Sequence, residues 1–414
     1  MASRRWWSSW KSSAGRTPKV AAAKFRVATY NSISAKGLER FPATRYLVGK
    51  EIATPDALLL RSHALQVAEV AASVKAIARA GTGVNNIPVE AMSKRGVPVF
   101  NAPGANANAV KELVLAGMLM AARNVVPAVE YVNSLGRGAH FDKRVEEGKK
   151  QFAGVELPGR TLGVIGLGAI GGLVADTAIK LGMKVLGYDP DITVDNAWRL
   201  PSAVKRAASI DEVIKASDFV SLHVPLMDKT RHLIDAKRLA HAPARLVLLN
   251  FSRDAIVDEA AVVKALAGGH LRKYVTDFPS ETLAGNPGVL ALPHLGASTE
   301  EAEENCALMV VDQLRAFLEE GTVANSVNFP SVEMARESPH RIAITNANVP
   351  NMLGQISTTM AQAGLNIHNM VNKSKADMAY TLVDLDSAAD PEVIRRIAHI
   401  PGVLSIRSIP RLDP

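Results

Sequence analysis

Beyond Phe25 the chain alternates short apolar runs with amphipathic stretches. "FRVAT", "ALLL", "VKAIA" and "VPVF" are largely aliphatic, which predicts strands buried on both faces, and helical periodicity falls near 64–70, 88–95 and 108–122. A second block starts at Thr161 with "TLGVI", "KVLGYD", "DFVSLHV", "RLVLLN", "KYVTD" and "GVLAL". Such strands pair in parallel and need helical crossovers on both faces. Two blocks of this kind predict two doubly wound α/β domains with a cleft between them.

After Ala302 a helical period runs through "CALMVVDQLRAFLEEG" and stops at Gly321. "NSVNFPSVEMARESP" mixes Asn, Ser and Pro and reads as a linker. Beyond Arg341 the expected order is β (341–345), α (350–363), β (365–371), β (378–384), α (390–399), β (403–409), the split βαβ order of a ferredoxin-like α+β module.

Composition narrows the class. The 414 residues suffice for two to four cores, and 48% hydrophobic with 21% charged residues is ordinary for a globular protein. No apolar run reaches the ~18 residues of a membrane helix. The longest, Leu113 to Ala122, fits a buried helix, so no membrane partner is expected. A single cysteine, Cys306, excludes an internal disulfide and a cysteine-based metal cluster, which suits a reducing compartment.

The net charge of +8 suggests a nucleic-acid partner until it is located. Residues 1–38 hold eight basic residues and no acid, and the remainder balances at 40 of each sign. The case for a polyanion partner disappears. The leader, residues 1–23, is Ser- and Arg-rich, lacks an apolar centre and places Trp6, Trp7 and Trp10 on one helical side, opposite Arg4, Arg5 and Lys11. That pattern predicts an organelle transit peptide and a mitochondrial or plastid location, with a disordered cytosolic extension as the alternative.

The sharpest chemical signal is Gly166-x-Gly168-x-x-Gly171, directly after a strand and opening a helix, with Asp189 at the end of the next strand. Gly166 makes a tight turn, Gly168 admits a pyrophosphate to the backbone, and Gly171 lets helix and strand approach. Ala169 and Ile170 then supply amides at a helix N-terminus, which favours negative charge. Asp189 would accept from the ribose hydroxyls and repel a 2′-phosphate, so the expected cofactor is NAD in a Rossmann domain. His63, His223, His232 and His241 show no metal-ligand spacing, and no metal is expected.

"LLLRS", "RAGTGVNNIP", "NAPGANANAVKE", "GVIGLGAIG", "SLHVPL", "NFSRD", "VTDFPSE" and "PHLGAST" occur in the order found in D-isomer-specific 2-hydroxy-acid dehydrogenases. The chain resembles that family over about residues 25–330, specifically its branch acting on 3-phosphoglycerate and ending in an ACT domain. The resemblance implies a discontinuous substrate domain (24–122 and 298–330), an inserted NAD domain (123–297), a linker (331–339) and an ACT domain (340–414). It implies His294 as the proton-transferring base, Glu281 as its carboxylate partner and Arg253 as the grip on the substrate carboxylate. It further implies Arg61 and Ser62, the Gly81-Thr82-Gly83 nest and Asn101 around the substrate. His223, Val224, Pro225, Thr230, Asn250, Phe251, Ser252, Asp277 and Gly296 would border the cofactor, with Asp277 on the nicotinamide carboxamide. In the ACT domain, Asn346, Asn348 and Asn366 match positions that hold serine.

The chain departs from the family pattern at Asp254, where glycine is usual, and before Glu281, where the segment is one residue short. The branch implies oxidation of 3-phosphoglycerate to 3-phosphohydroxypyruvate, L-serine as effector, and a homo-oligomer, dimer or tetramer. Two other functions stay open: a glyoxylate/hydroxypyruvate or other 2-hydroxy-acid reductase, which needs neither Arg61 nor the tail, and a non-catalytic NAD-sensing scaffold, which needs no catalytic set.

Overall fold

A computed structural model describes residues 24–409 and 411; the leader, with its targeting expectation, lies outside them. Strands β1 (Phe25–Thr29), β2 (Tyr46–Gly49), β3 (Ala57–Leu60), β4 (Ala76–Arg79) and β5 (Val99–Phe100) form a parallel sheet in the order β2-β1-β3-β4-β5. β2 escapes the sequence pattern because it is an edge strand, with Leu47 53% exposed. The helix expected over 64–70 is only a 3₁₀ turn, Val67–Glu69, since the Gln66 amide donates to the Glu69 carboxylate (2.6 Å) and closes the segment at one turn. Its apolar ends, Leu65 and Val70, are both buried.

The second parallel sheet contains β6 (Thr161–Ile165), β7 (Lys184–Tyr188), β8 (Lys205–Arg206), β9 (Phe219–Leu222), β10 (Val247–Asn250), β11 (Lys273–Thr276) and β12 (Val289–Ala291), in the order β12-β11-β10-β9-β6-β7-β8. The order reverses beside β6, the kind of switch point where open α/β sheets bind ligands. The helix Ala107–Arg123 buries Val110, Val114 and Met118 against this second sheet's core, as its apolar run suggests.

The chain returns through the helix Glu300–Glu320. Thr299 caps it by accepting from the Ala302 amide, three glutamates occupy its first turn, and Gly321 ends it at φ 74°. Its buried face, including Val310, Leu314 and Phe317, packs on Val27, Leu59 and Phe100 of the first sheet.

β13 (His340–Ala347), β14 (Ile367–Lys375), β15 (Met378–Leu385) and β16 (Val403–Ile409) form an antiparallel sheet in the order β14-β15-β13-β16, with helices Met352–Gln362 and Pro391–Ala398 in the βαββαβ order of a ferredoxin-like fold. Alternation divides its residues between two cores. Ile342, Ile344 and Val383 lie under the helices with Ile356 and Ile397, whereas Ala343, Tyr380, Leu382 and Ile409 share one core with Phe100 and Phe317. The supposed linker is therefore corrected. Ser326, Phe329, Val332, Met334 and Ser338 are all buried, and the Asn328 side chain bonds Ser93 Oγ, Val97 O and the Val99 amide. Its apolar residues are too widely spaced to read as a strand or helix, yet they seal the joint between domain and module.

Candidate active site

The glycine motif leaves the carboxyl end of β6. Gly166 has φ 90°, and a Cβ there would lie 2.5 Å from the His223 carbonyl oxygen. A Cβ on Gly171 would collide with the Gly166 carbonyl, whereas one on Gly168 would meet open space. Asp189, just beyond β7, accepts from the Leu167 amide (2.8 Å) and the Asp191 amide (3.0 Å), so its carboxylate sits against the glycine loop.

Between the two parallel sheets opens a cleft of about 540 Å³. Thr82, Asn85 and Asn106 line it from the first domain; Gly168, Ala169, Ile170, His223, Val224 and Pro225 line it from the second, with Phe251, Ser252, Arg253, Asp277, His294 and Gly296. Asp277 is buried, and its Oδ2 accepts from the Gly296 amide (3.3 Å) while Oδ1 has no partner among the described residues. Burial raises this carboxyl above its ordinary value, opposed by the charges of His294 and Arg253. An orphaned acceptor in the cleft wall fits the amide donor of a nicotinamide. The residues present fit NAD.

Three expected cofactor or substrate neighbours act one step back, because local hydrogen bonds consume their side chains. Thr230 Oγ1 donates to the Pro225 carbonyl (2.6 Å) and shapes that turn. The fully buried Asn250 donates to the Arg253 carbonyl (2.8 Å) and sets the loop that carries Arg253. Asn101 donates to the Thr82 carbonyl (2.6 Å), and Thr82 Oγ1 donates to Asn106 Oδ1 (2.9 Å), so both hold the Gly81–Gly83 loop. Ser62 is exposed beside Arg61.

That loop carries a cation cluster. The Arg253 guanidinium lies 2.7 Å from where a Cβ on Gly83 would stand, and Arg79 presses likewise on Gly81. Arg79 was missed in the sequence; its signal is a cation at the carboxyl end of β4, immediately before the nest. Burial, together with Arg253 and Arg61, lowers its pKa. An arginine stays protonated even so. Arg79 Nε donates to the Arg61 carbonyl (3.0 Å), and Arg61 itself pairs with Glu303 (2.6 Å).

His294 reaches the cleft with its ring 4.8 Å from that of Phe278. The other cleft imidazole, His223, is pushed down to about 3 by burial and bonds Ser221 Oγ (2.8 Å). His223 therefore stays neutral across the working range, and His294 is the other imidazole lining the cleft. Glu281 does not stand beside it. Glu281 is exposed, has no hydrogen-bond or ion-pair partner among the described residues, and does not line the hollows that His294 lines. The segment after Asp277 runs into the turn at 281–285, where Glu281 is exposed.

In the C-terminal module a smaller hollow of about 220 Å³ is lined by Asn346, Asn348, Asn351 and Asn372. Asn346 is buried with Oδ1 unpartnered among the described residues. Asn366 is not there; it immediately precedes the second strand of the module and donates to Asp386 (2.6 Å).

A family profile described as "D-isomer specific 2-hydroxyacid dehydrogenase, NAD binding domain" matches residues 115–296. The chain belongs to the D-isomer-specific 2-hydroxyacid dehydrogenases, NAD-dependent oxidoreductases. Among its relatives, the D-3-phosphoglycerate dehydrogenase of Escherichia coli (strain K12) is 32% identical over 338 residues, covering 78% of this chain and 79% of that protein. The D-3-phosphoglycerate dehydrogenase of Methanocaldococcus jannaschii is 37% identical over 329 residues, and the match spans 77% of this chain but only 59% of that longer protein. The NAD-bound 3-phosphoglycerate dehydrogenase structure from Entamoeba histolytica superposes with a TM-score of 0.59 at 26% identity, covering 74% of this chain and 99% of that one.

Proposed function

We propose that this enzyme oxidises D-3-phosphoglycerate to 3-phosphohydroxypyruvate with NAD, the first step of serine synthesis by the phosphorylated route. The observation that carries the reading is the cluster of Arg61, Arg79 and Arg253 around the Gly81–Gly83 loop. A carboxylate needs one such grip, and a phosphate at the far end of the same small molecule calls for the others. A glyoxylate reductase would leave most of this charge unused.

Bound NAD supplies the hydride acceptor. Arg253 and the nest amides hold the substrate carboxylate, fixing the alcohol carbon in the cleft. His294 takes the hydroxyl proton as the ketone forms. Phe251 and Phe278 help to keep that region apolar.

The asparagine-lined hollow supports a further part of the proposal, L-serine as inhibitor, since amide side chains can both donate to a carboxylate and accept from an ammonium. The leader supports import into an organelle, testable by fusing residues 1–23 to a reporter. The deciding experiment is an assay of purified protein with NAD against 3-phosphoglycerate, glycerate and glyoxylate. Preference for the phosphorylated substrate is expected; equal or better turnover of glycerate or glyoxylate overturns the reading.

A further inference from the structure

The glycine turn leaves the carboxyl end of β6, and the two neighbours of β6 in the sheet, β7 and β9, each send a loop past it. Beyond β7 come Asp189 and, two residues on, Asp191. Beyond β9 the chain lines the cleft through Leu226 and then closes the 3₁₀ turn Asp228–Thr230. An ion pair joins the two loops: Lys229 Nζ donates to Asp191 Oδ2 (2.5 Å). Both loops are fixed locally. The Asp191 amide donates to Asp189 Oδ1 (3.0 Å), while Thr230 Oγ1 accepts from the Met227 amide (2.8 Å) and donates to the Pro225 carbonyl (2.6 Å). The ammonium also feels the charge of Asp189, the expected ribose acceptor. Both side chains of the pair are otherwise exposed, so no core packing requires them.

We propose that Asp191, by pairing with Lys229, is a second residue that selects NAD over NADP. The two dinucleotides differ only at the adenosine 2′ oxygen, a neutral hydroxyl in NAD and a phosphate of nearly two negative charges in NADP. Dinucleotide folds that take NADP set a cation beside that oxygen. Lys229 is such a cation, carried on the turn that borders the crevice opposite Asp189. Asp189 acts directly, since its carboxylate would accept from the ribose hydroxyls and repel a 2′-phosphate. Asp191 acts through Lys229, by occupying an ammonium that would otherwise attract the phosphate. The other charged side chains of this turn, Asp228 and Arg231, are exposed and have no side-chain partner among the described residues. The inference concerns the cofactor alone and holds whichever hydroxy acid is turned over.

Calorimetric titration of the full chain with NAD and with NADP, in the absence of substrate, tests this without reference to turnover. Asp191→Asn keeps the size of the side chain and is expected to lower the ratio of Kd for NADP to Kd for NAD roughly two- to fivefold, the range of an exposed charge pair. Adding Lys229→Gln is expected to cancel that gain. Raising salt to about 0.5 M is expected to shrink it, because exposed charges are then screened. Arg231→Gln in the Asp191→Asn background leaves the gain in place, which separates Lys229 from the other cation of the turn. An unmoved ratio in Asp191→Asn overturns the proposal. A gain that survives Lys229→Gln overturns it as well, since Asp191 would then act by its own charge, and so does a gain lost with Arg231. Failure of the wild type to bind NAD at all would instead remove the cofactor assignment itself.

Discussion

Arg61 and Glu303 form an ion pair of 2.6 Å that joins the end of the first-domain strand β3 to the first turn of the returning helix Glu300–Glu320. Glu303 thus occupies the cation expected to bind the substrate's distal anion. Both side chains remain partly exposed, so the pair itself contributes little, about 0–1 kcal/mol. Substrate must nevertheless displace it. Glu303→Gln is expected to lower KM for 3-phosphoglycerate roughly two- to fivefold with kcat unchanged, by releasing up to that energy. Arg61→Ala is expected to raise the same KM. Identical effects of both variants on KM for glycerate would detach Arg61 from phosphate recognition.

His294→Ala is expected to abolish turnover while NAD binding, followed by fluorescence, stays near that of the wild type. On the proposed function the imidazole handles a proton, whereas the cofactor would rest on the glycine loop beside Asp189. Residual activity within about tenfold of wild type would exclude general-base catalysis at this position.

Asp189→Ala combined with Pro190→Arg should relax the preference for NAD over NADP. The carboxylate beside the glycine loop repels a 2′-phosphate, and arginine would attract one. The ratio of kcat/KM values for the two cofactors measures this; an unmoved ratio removes Asp189 from ribose recognition.

In the C-terminal module Arg341 donates to both oxygens of Asp384 (2.7 and 2.9 Å), with the two residues 2% and 0% exposed. Burial pushes the Asp384 carboxyl up, but the bonds and charge of Arg341 and the Glu337 amide outweigh it and hold it below its ordinary value. Asp384→Asn deprives the buried Arg341 of its bidentate carboxylate, leaving only Glu320 at 3.9 Å, and should cost about 3–5 kcal/mol by denaturant unfolding at pH 7. A depressed folded pKa stabilises above the unfolded value near 3.9 and is lost as pH falls through the folded one. The gap between wild type and variant should therefore narrow only below about pH 4. A gap that closes at neutral pH would contradict this pairing.

If serine occupies the asparagine-lined hollow, Asn348→Ala should relieve inhibition without changing uninhibited kcat. A coupling of ~1–3 kcal/mol corresponds to a 5- to 150-fold change in affinity, readable by titration. Thr345, next to Asn346, bonds the Gly96 carbonyl of the first domain (3.2 Å), so the hollow's wall is attached to the catalytic body. Millimolar serine with no effect on activity or melting would leave the module with assembly alone.

The sequence by itself determined the buried parallel strands, the glycine turn before Asp189, the ferredoxin-like order of the tail and the acid-free leader. Each of these is a local property, because periodicity, φ preference and charge act within a few residues. Only the tertiary structure decided that Ser326–Ser338 seals a joint, that Arg79 joins Arg61 and Arg253, and that Asn366 stands apart from Asn346. It also decided that Glu281 is exposed and does not line the hollows that His294 lines. Those outcomes depend on where side chains point once distant segments pack.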